Sequence, residues 1–274
     1  MLYKRILTMQ DISCVGQCSM TVALPILSAC GQEACILPTA VLSSHTGGFR
    51  NPHIRDLSGD IPGIRGRWKE EGIDFDYICT GYLGSTQEIE YAREIGASMR
   101  SPGSMLIVDP AMADHGKLYR GFDTQYAEQM KKLCAEADII LPNITEAAML
   151  TGMPYREVYG EEYITELVKR LDASCVILTG VSYAPEETGV VVAEQGSVRY
   201  YSHKRIGKSY HGTGDIFAAA FVGALACGKE CCRAAQIAAD FTCRCIENTF
   251  TAPAHWYGVK FETALPELIR MLYE

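Results

Sequence analysis

Met105-Leu106-Ile107-Val108-Asp109-Pro110 is the stretch on which the reading of the fold turns. Four apolar residues run without polar interruption into an acid and a proline. A strand half exposed to water alternates polar and apolar residues; one that does not is covered on both faces. Pro110 ends the ladder, since it has no N–H to donate. The same kind of run recurs at Arg5–Asp11, Ala34–Thr39, Tyr77–Gly81, Ile139–Pro142 and Cys175–Thr179. Between these lie stretches of helical character: Cys18–Cys30, Gly63–Glu71, Thr86–Arg100, Asp123–Ala135 and Tyr163–Asp172. Pro25 is expected to kink or split the first of them. Strand and helix in alternation, with connections of this length, predict a parallel sheet wound by right-handed crossovers.

The pattern then changes. Gly189–Ala193 and Val198–His203 are strand-like and joined by Glu194-Gln195-Gly196-Ser197, a hairpin signal. Ile216–Cys227, Lys229–Glu247 and Val259–Leu272 then read as helices, the last with Leu265, Leu268, Ile269 and Leu272 on one face. The predicted class is α/β: three αβα layers, a mostly parallel central sheet and an antiparallel edge hairpin. No Pro/Gly/Ser linker or repeat divides the chain, so residues 1–274 are expected to form a single domain.

The composition narrows the function. The chain has 274 residues, 48% hydrophobic and 21% charged, which excludes a disordered polymer. No apolar run reaches the ~18 residues of a membrane span, and Ile6–Met9 is too short for a secretory signal. A cytoplasmic protein without a membrane partner is expected. The formal net charge of −8 carries no basic footprint for nucleic acid. A phosphorylated ligand must then be held by helix N-termini, backbone N–H groups or metal ions. The twelve cysteines form no C-x-x-C pair and lie in apolar or helical stretches, so they are read as reduced small hydrophobes, not as disulfides or a structural zinc site.

His211-Gly212-Thr213-Gly214-Asp215, followed by Ile216-Phe217-Ala218-Ala219-Ala220-Phe221, is the densest cluster of informative residues. Two glycines at a helix start bare the backbone, whose N–H groups and dipole favour anionic oxygens. A carboxylate beside such an anion hole can take a proton from a hydroxyl while a phosphoryl group arrives. Taken alone, the motif also reads as a capped helix after a Gly-rich turn. Gly207-Lys208-Ser209 is not a P-loop, because the first glycine of that motif would fall at Ser202. A dinucleotide fingerprint would need glycine at Phe217.

Gly212-Thr213-Gly214-Asp215 before a small-residue helix resembles the signature of ribokinase-like kinases. Within that fold the chain is similar to pyridoxal kinases. Ser43-Ser44-His45-Thr46-Gly47-Gly48 resembles their S-N-H-T-G segment, and Gly81-Tyr82-Leu83-Gly84-Ser85 their G-Y-L-G-S. Val108-Asp109-Pro110 with Asp114, and Leu141-Pro142-Asn143 with Glu146, resemble their nucleotide and metal segments. The resemblance runs in order over nearly the whole chain. It implies a ribokinase-like kinase that uses ATP and Mg²⁺ to phosphorylate the 5′-hydroxymethyl group of pyridoxal, pyridoxamine or pyridoxine in salvage. Asp215 would be the base, with Gly212, Thr213 and Gly214 steadying the phosphoryl oxygens. Asp11, Ser13, Ser44, His45, Thr46 and Tyr82 would meet the substrate. Asp109, Asp114, Asn143, Glu146, Thr179, Lys208 and His211 would meet ATP, and Glu146 and Asp109 the metal through water. A monovalent cation such as K⁺ and a homodimer are further expectations of the resemblance.

Physical reasoning supports part of this. Asp11, Tyr82, Asp109, Asn143 and Thr179 all lie at the carboxyl ends of runs read as strands, where open α/β sheets bind ligands. Mg²⁺ prefers oxygen ligands and retains waters. Asn143-Ile144-Thr145-Glu146 taken alone is a strand-end turn with a capping Asn. One departure stands out: pyridoxal kinases commonly have Ser after the Gln of the first strand, whereas Gln10 is followed by Asp11. A related branch phosphorylates hydroxymethylpyrimidine, usually with Cys at the position of Asp215 and an early Gly-Gly pair. Asp215 and Cys14-Val15-Gly16-Gln17 count against it. A sugar kinase of the same fold and a non-catalytic binder of a vitamer or nucleotide are the other readings, and an intact Asp215 argues against the binder.

Overall fold

The computed structural model describes residues 3–207, 210–252 and 254–273. In chain order the elements are β1 (Arg5–Ser13), α1 (Met20–Ala29), β2 (Glu33–Leu42), β3 (Ile54–Asp56), α2 (Ile61–Glu70), β4 (Phe75–Thr80), α3 (Thr86–Ser98) and β5 (Arg100–Val108). There follow β6 (Ala113–Asp114), β7 (Lys117–Leu118), α4 (Thr124–Glu136), β8 (Ile139–Ile140), α5 (Ile144–Thr151) and α6 (Glu161–Arg170). The chain ends with β9 (Cys175–Val181), β10 (Glu187–Glu194), β11 (Ser197–Lys204), α7 (Thr213–Ala226), α8 (Cys231–Phe250) and α9 (Leu265–Tyr273).

Nine strands form the central sheet in the order β11-β10-β9-β8-β5-β4-β1-β2-β3. The six strands from β9 to β2 pair in parallel. The expected hairpin β10–β11 is antiparallel and forms one edge. The other edge differs from expectation: the three-residue strand β3 pairs antiparallel with β2. Its residues are all exposed, so no burial pattern announced it, and so short an edge offers little template for further pairing.

Apolar residues on the two faces of the sheet pack into two cores. One lies under α1, α7, α8 and α9, with Phe221, Phe241 and Phe261 at its centre. The other lies under the helices from α2 to α6, around Phe75, Ile78 and Leu106. This is the three-layer arrangement that the uninterrupted apolar runs require.

Two local expectations are corrected. Helix α1 continues through Pro25 without a break, because burying Val22, Ala23, Ile26 and Leu27 outweighs the lost hydrogen bond. The closing segment is a 3₁₀ turn, Phe261–Ala264, followed by α9, and Ile269 is exposed on it. The expected helix-capping Asn143 is found: helix α5 begins at Ile144 with a full capping box, in which the Asn143 side chain accepts from the Glu146 N–H and Glu146 accepts from the Asn143 N–H. All twelve cysteines are free, as expected. Among the described residues, no helix is long and apolar enough to cross a membrane.

Candidate active site

The turn before α7 is shaped by close packing. Gly212 has φ +79°, and a Cβ there would lie 1.9 Å from the Gln17 carbonyl oxygen. Only glycine meets both demands, a left-handed backbone and a near approach. The turn is thereby seated on the Cys14–Ser19 loop. The first intrahelical bond runs from the Ile216 N–H to the Gly212 carbonyl at 3.0 Å. The N–H groups of Thr213, Gly214 and Asp215 therefore have no acceptor inside the helix and point out of its positive end.

Asp215 follows in the first turn. Its Oδ2 accepts the backbone N–H of Ser19 at 2.8 Å. Burial pushes its pKa up to about 6, and the charge of Asp11 adds to the rise. A carboxylate in that range is ionised at neutral pH yet basic enough to take a proton.

On one side of Asp215 lies a polar and aromatic surface. Asp11 is buried at a bulge in β1 and accepts the Ser13 hydroxyl at 2.9 Å. Burial raises its pKa as well. Tyr82 is half-buried and stacks on Phe122, ring centres 5.4 Å apart. Burial raises its phenol, and Asp11 contributes. The loop that presents Tyr82 is held by Glu88, which accepts the Gly84 N–H at 2.7 Å.

His45 is buried with both ring nitrogens engaged. Nε2 meets the Tyr257 carbonyl at 2.7 Å, and Nδ1 accepts the Gly47 N–H at 3.1 Å. These partners require a neutral imidazole with its proton on Nε2, and burial lowers its pKa in the same sense. Neither nitrogen is left for a ligand, so the expectation that His45 offers a polar edge to a bound ring changes: it fixes the segment that ends in Tyr257. Ser44 is buried beside it, whereas Thr46 is exposed. His211, expected on the nucleotide side, packs against His45 at 5.4 Å and against Gly47.

On the other side of Asp215 are acids. Asp109 and Asp215 line one narrow cavity of about 20 Å³, together with Gln10, Thr80 and Gly81. Burial raises the pKa of Asp109 far above the carboxylate range, and the charges of Glu146 and Asp215 push it further. Glu146 is 2% exposed; its oxygens accept the N–H groups of Met112 (3.0 Å), Ala113 (3.4 Å) and Asn143 (2.8 Å). Those bonds favour its charged form, but burial prevails and brings its pKa to about 8. Asn143 donates to the Ala113 carbonyl at 2.8 Å and forms an isolated bridge to Thr179 of β9. Asp114 is exposed in the β6–β7 turn, where it accepts the His115 N–H. Lys208 lies outside the described residues.

Ionised together, Asp109, Glu146 and Asp215 would repel one another, which favours the protonated forms of Asp109 and Glu146; a divalent cation among them would remove that cost. The oxygen-only donor set suits Mg²⁺. Glu146, with three N–H partners already, is one of the residues that could hold such an ion through water.

Phe49, Trp256 and Tyr257 also gather here, without a motif in the sequence that announces it. Their rings form a continuous cluster with His45: Phe49 lies 4.8 Å from both His45 and Trp256. The run His255-Trp256-Tyr257 was the available signal, but nothing local tied it to residues two hundred positions earlier. Gln17, which His255 meets at 2.6 Å, was missed for the same reason.

Comparison with known proteins agrees with this geometry. The family described as phosphomethylpyrimidine kinase matches residues 26–259. A hydroxymethylpyrimidine/phosphomethylpyrimidine kinase of Bacillus subtilis is 28% identical over 218 residues, 77% of each chain. A crystal structure of pyridoxal kinase from Lactobacillus plantarum superposes with a TM-score of 0.89 at 32% identity, over 98% of this chain and 97% of that one. A Bacteroides thetaiotaomicron protein named as a phosphomethylpyrimidine kinase, crystallised with pyridoxal, superposes at 0.91 with 34% identity, over 97% and 96%. With the family matched over most of its length and its acids gathered at the sheet's carboxyl edge, this chain belongs to the phosphomethylpyrimidine kinase family and is a kinase of the ribokinase-like fold, related to the pyridoxal kinases.

Proposed function

We propose that the protein transfers the γ-phosphoryl group of ATP to the 5′-hydroxymethyl group of a vitamin B6 vitamer. One observation carries the reading: Asp215 lines one narrow cavity with Asp109, on the acidic side, and feels the charge of Asp11, on the polar and aromatic side. A base between an acceptor pocket and a metal–nucleotide pocket is what phosphoryl transfer to an alcohol needs.

Asp215 takes the hydroxyl proton as the oxygen attacks phosphorus. The N–H groups at the start of α7 hold the phosphoryl oxygens as charge shifts among them. Asp109 and Glu146 would hold Mg²⁺, which neutralises phosphate charge when bound. Tyr82 and the aromatic cluster around Phe49 offer faces for a pyridine ring, and Asp11 a carboxylate at its edge. The related structure with pyridoxal supports a pyridine ligand. The proposal includes a single catalytic domain acting as a cytoplasmic homodimer.

Hydroxymethylpyrimidine is the second reading, favoured by the family description and the Bacillus relative. Asp215, and Cys14-Val15-Gly16-Gln17 where that branch has a Gly-Gly pair, weigh against it. ADP release measured with pyridoxal, pyridoxamine, pyridoxine, hydroxymethylpyrimidine and a sugar panel decides. The highest kcat/KM is expected for a B6 vitamer. A preference for the pyrimidine transfers the assignment, and tight vitamer binding without ADP release would make the protein a binder.

A further inference from the structure

A second cluster lies at the opposite end of the sheet from Asp215. Cys175 opens β9, whereas the active-site Thr179 lies near the other end of that strand. Glu194, at the end of the antiparallel neighbour β10, stands directly across from Cys175 in register. Residues so opposed send their side chains to the same face. Helix α8 covers that face and begins with Cys231. The two sulfurs are 3.3 Å apart, and the sulfurs and a Glu194 oxygen all lie within 4.8 Å of one another. Cys175 and Cys231 are 4% and 8% exposed, while Glu194 is half-exposed. Cys232, next in the chain, turns instead toward Arg199.

We propose that Cys175, Cys231 and Glu194 form a binding site for one thiophilic divalent cation of the zinc class, tying the start of α8 to the β9–β10 hairpin. Two thiolates and a carboxylate suit a borderline-soft ion, with water as the fourth tetrahedral ligand. Zinc–sulfur bonds of ~2.3 Å in a tetrahedron set two sulfurs about 3.7 Å apart, a small opening from the distance here. Binding is a ligand exchange without electron transfer: each thiol gives its proton to solvent as its sulfur takes the metal, and the ion sheds water. Because Cys231 on α8 lies 56 residues along the chain from Cys175, occupancy would tie distant segments together and stabilise the fold.

Titration of the reduced full-length protein with Cd²⁺, followed by Zn²⁺ competition, tests this. One equivalent should bind with ultraviolet sulfur-to-cadmium charge-transfer absorption, and Zn²⁺ should displace it and raise Tm. Glu194→Gln should weaken that equivalent about tenfold or more while kinase turnover stays within about twofold of wild type. The Cys175→Ser/Cys231→Ser double variant should lose the equivalent. If the double variant does not fold, Glu194→Gln decides alone. An unchanged affinity in either variant, or no such absorption in the wild type, overturns the site.

Discussion

The backbone N–H of Ser19 is held 2.8 Å from Oδ2 of Asp215, across 196 residues of sequence. Ser19 makes this contact from an unusual backbone conformation, φ 54° and ψ −130°. Side-chain residues rarely occupy that region, and holding one there costs about 1–3 kcal/mol. The strain therefore sits where the carboxylate is oriented, at the junction between β1 and α1.

Ser19→Gly keeps the N–H and removes the Cβ. It should raise stability by about 1 kcal/mol, net of the added chain entropy of glycine, with kcat within about threefold of wild type. Chemical denaturation and steady-state kinetics check this. A large loss of kcat would mean that the serine side chain itself takes part.

Asp215→Asn should lower kcat by at least ~10²-fold, the scale of a lost general base, with substrate affinity much less changed. The folded-state pKa of Asp215 lies above its ordinary value of 3.8, so its charge opposes folding. That penalty is absent below pH 3.8, grows as pH rises, and is complete above about 6. The Asn variant should therefore be more stable at neutral pH, by up to about 3 kcal/mol for the full shift. In the wild type, kcat/KM should fall about tenfold per pH unit below pH ~6, as the base becomes protonated. A profile flat to about pH 5 would remove Asp215 from that role.

EDTA should abolish turnover and Mg²⁺ restore it. Glu146→Gln should raise the Mg²⁺ concentration for half-maximal activity about 10–100-fold, as expected for a group that orients metal-bound water. Its capping of α5 predicts a stability loss as well, so Tm must be measured beside the Mg²⁺ titration. A lowered Tm with an unchanged Mg²⁺ requirement would leave Glu146 as a helix cap alone.

Asp11→Ser puts the residue common in pyridoxal kinases next to Gln10. Pyridoxamine carries an ammonium group that pyridoxal lacks. A carboxylate at ~4 Å attracts it by at most a few kcal/mol, much of it offset by desolvation. The wild type should favour pyridoxamine on the order of tenfold in kcat/KM, and the variant should shift toward pyridoxal. An unchanged ratio with lower stability would reduce Asp11 to the internal partner of Ser13.

The sequence by itself determined the alternation of buried strands and helices, because short uninterrupted runs such as Leu106–Val108, set between helical stretches, suit strands covered on both faces. It also placed Asp11, Asp109 and Asn143 at strand ends and Asp215 at a helix start, since apolar periodicity and glycine punctuation are local signals. Tertiary structure decided what each group does there. Asn143 and Glu146 were legible as a cap, but only the fold sets Glu146 against Met112 and Ala113 and buries it beside Asp109. His45 looked like a ligand for a ring until Tyr257 and Gly47 took both its nitrogens. Partners two hundred residues away leave no trace in local pattern: their meeting depends on how nine strands are ordered, and that order follows from the packing of two whole cores.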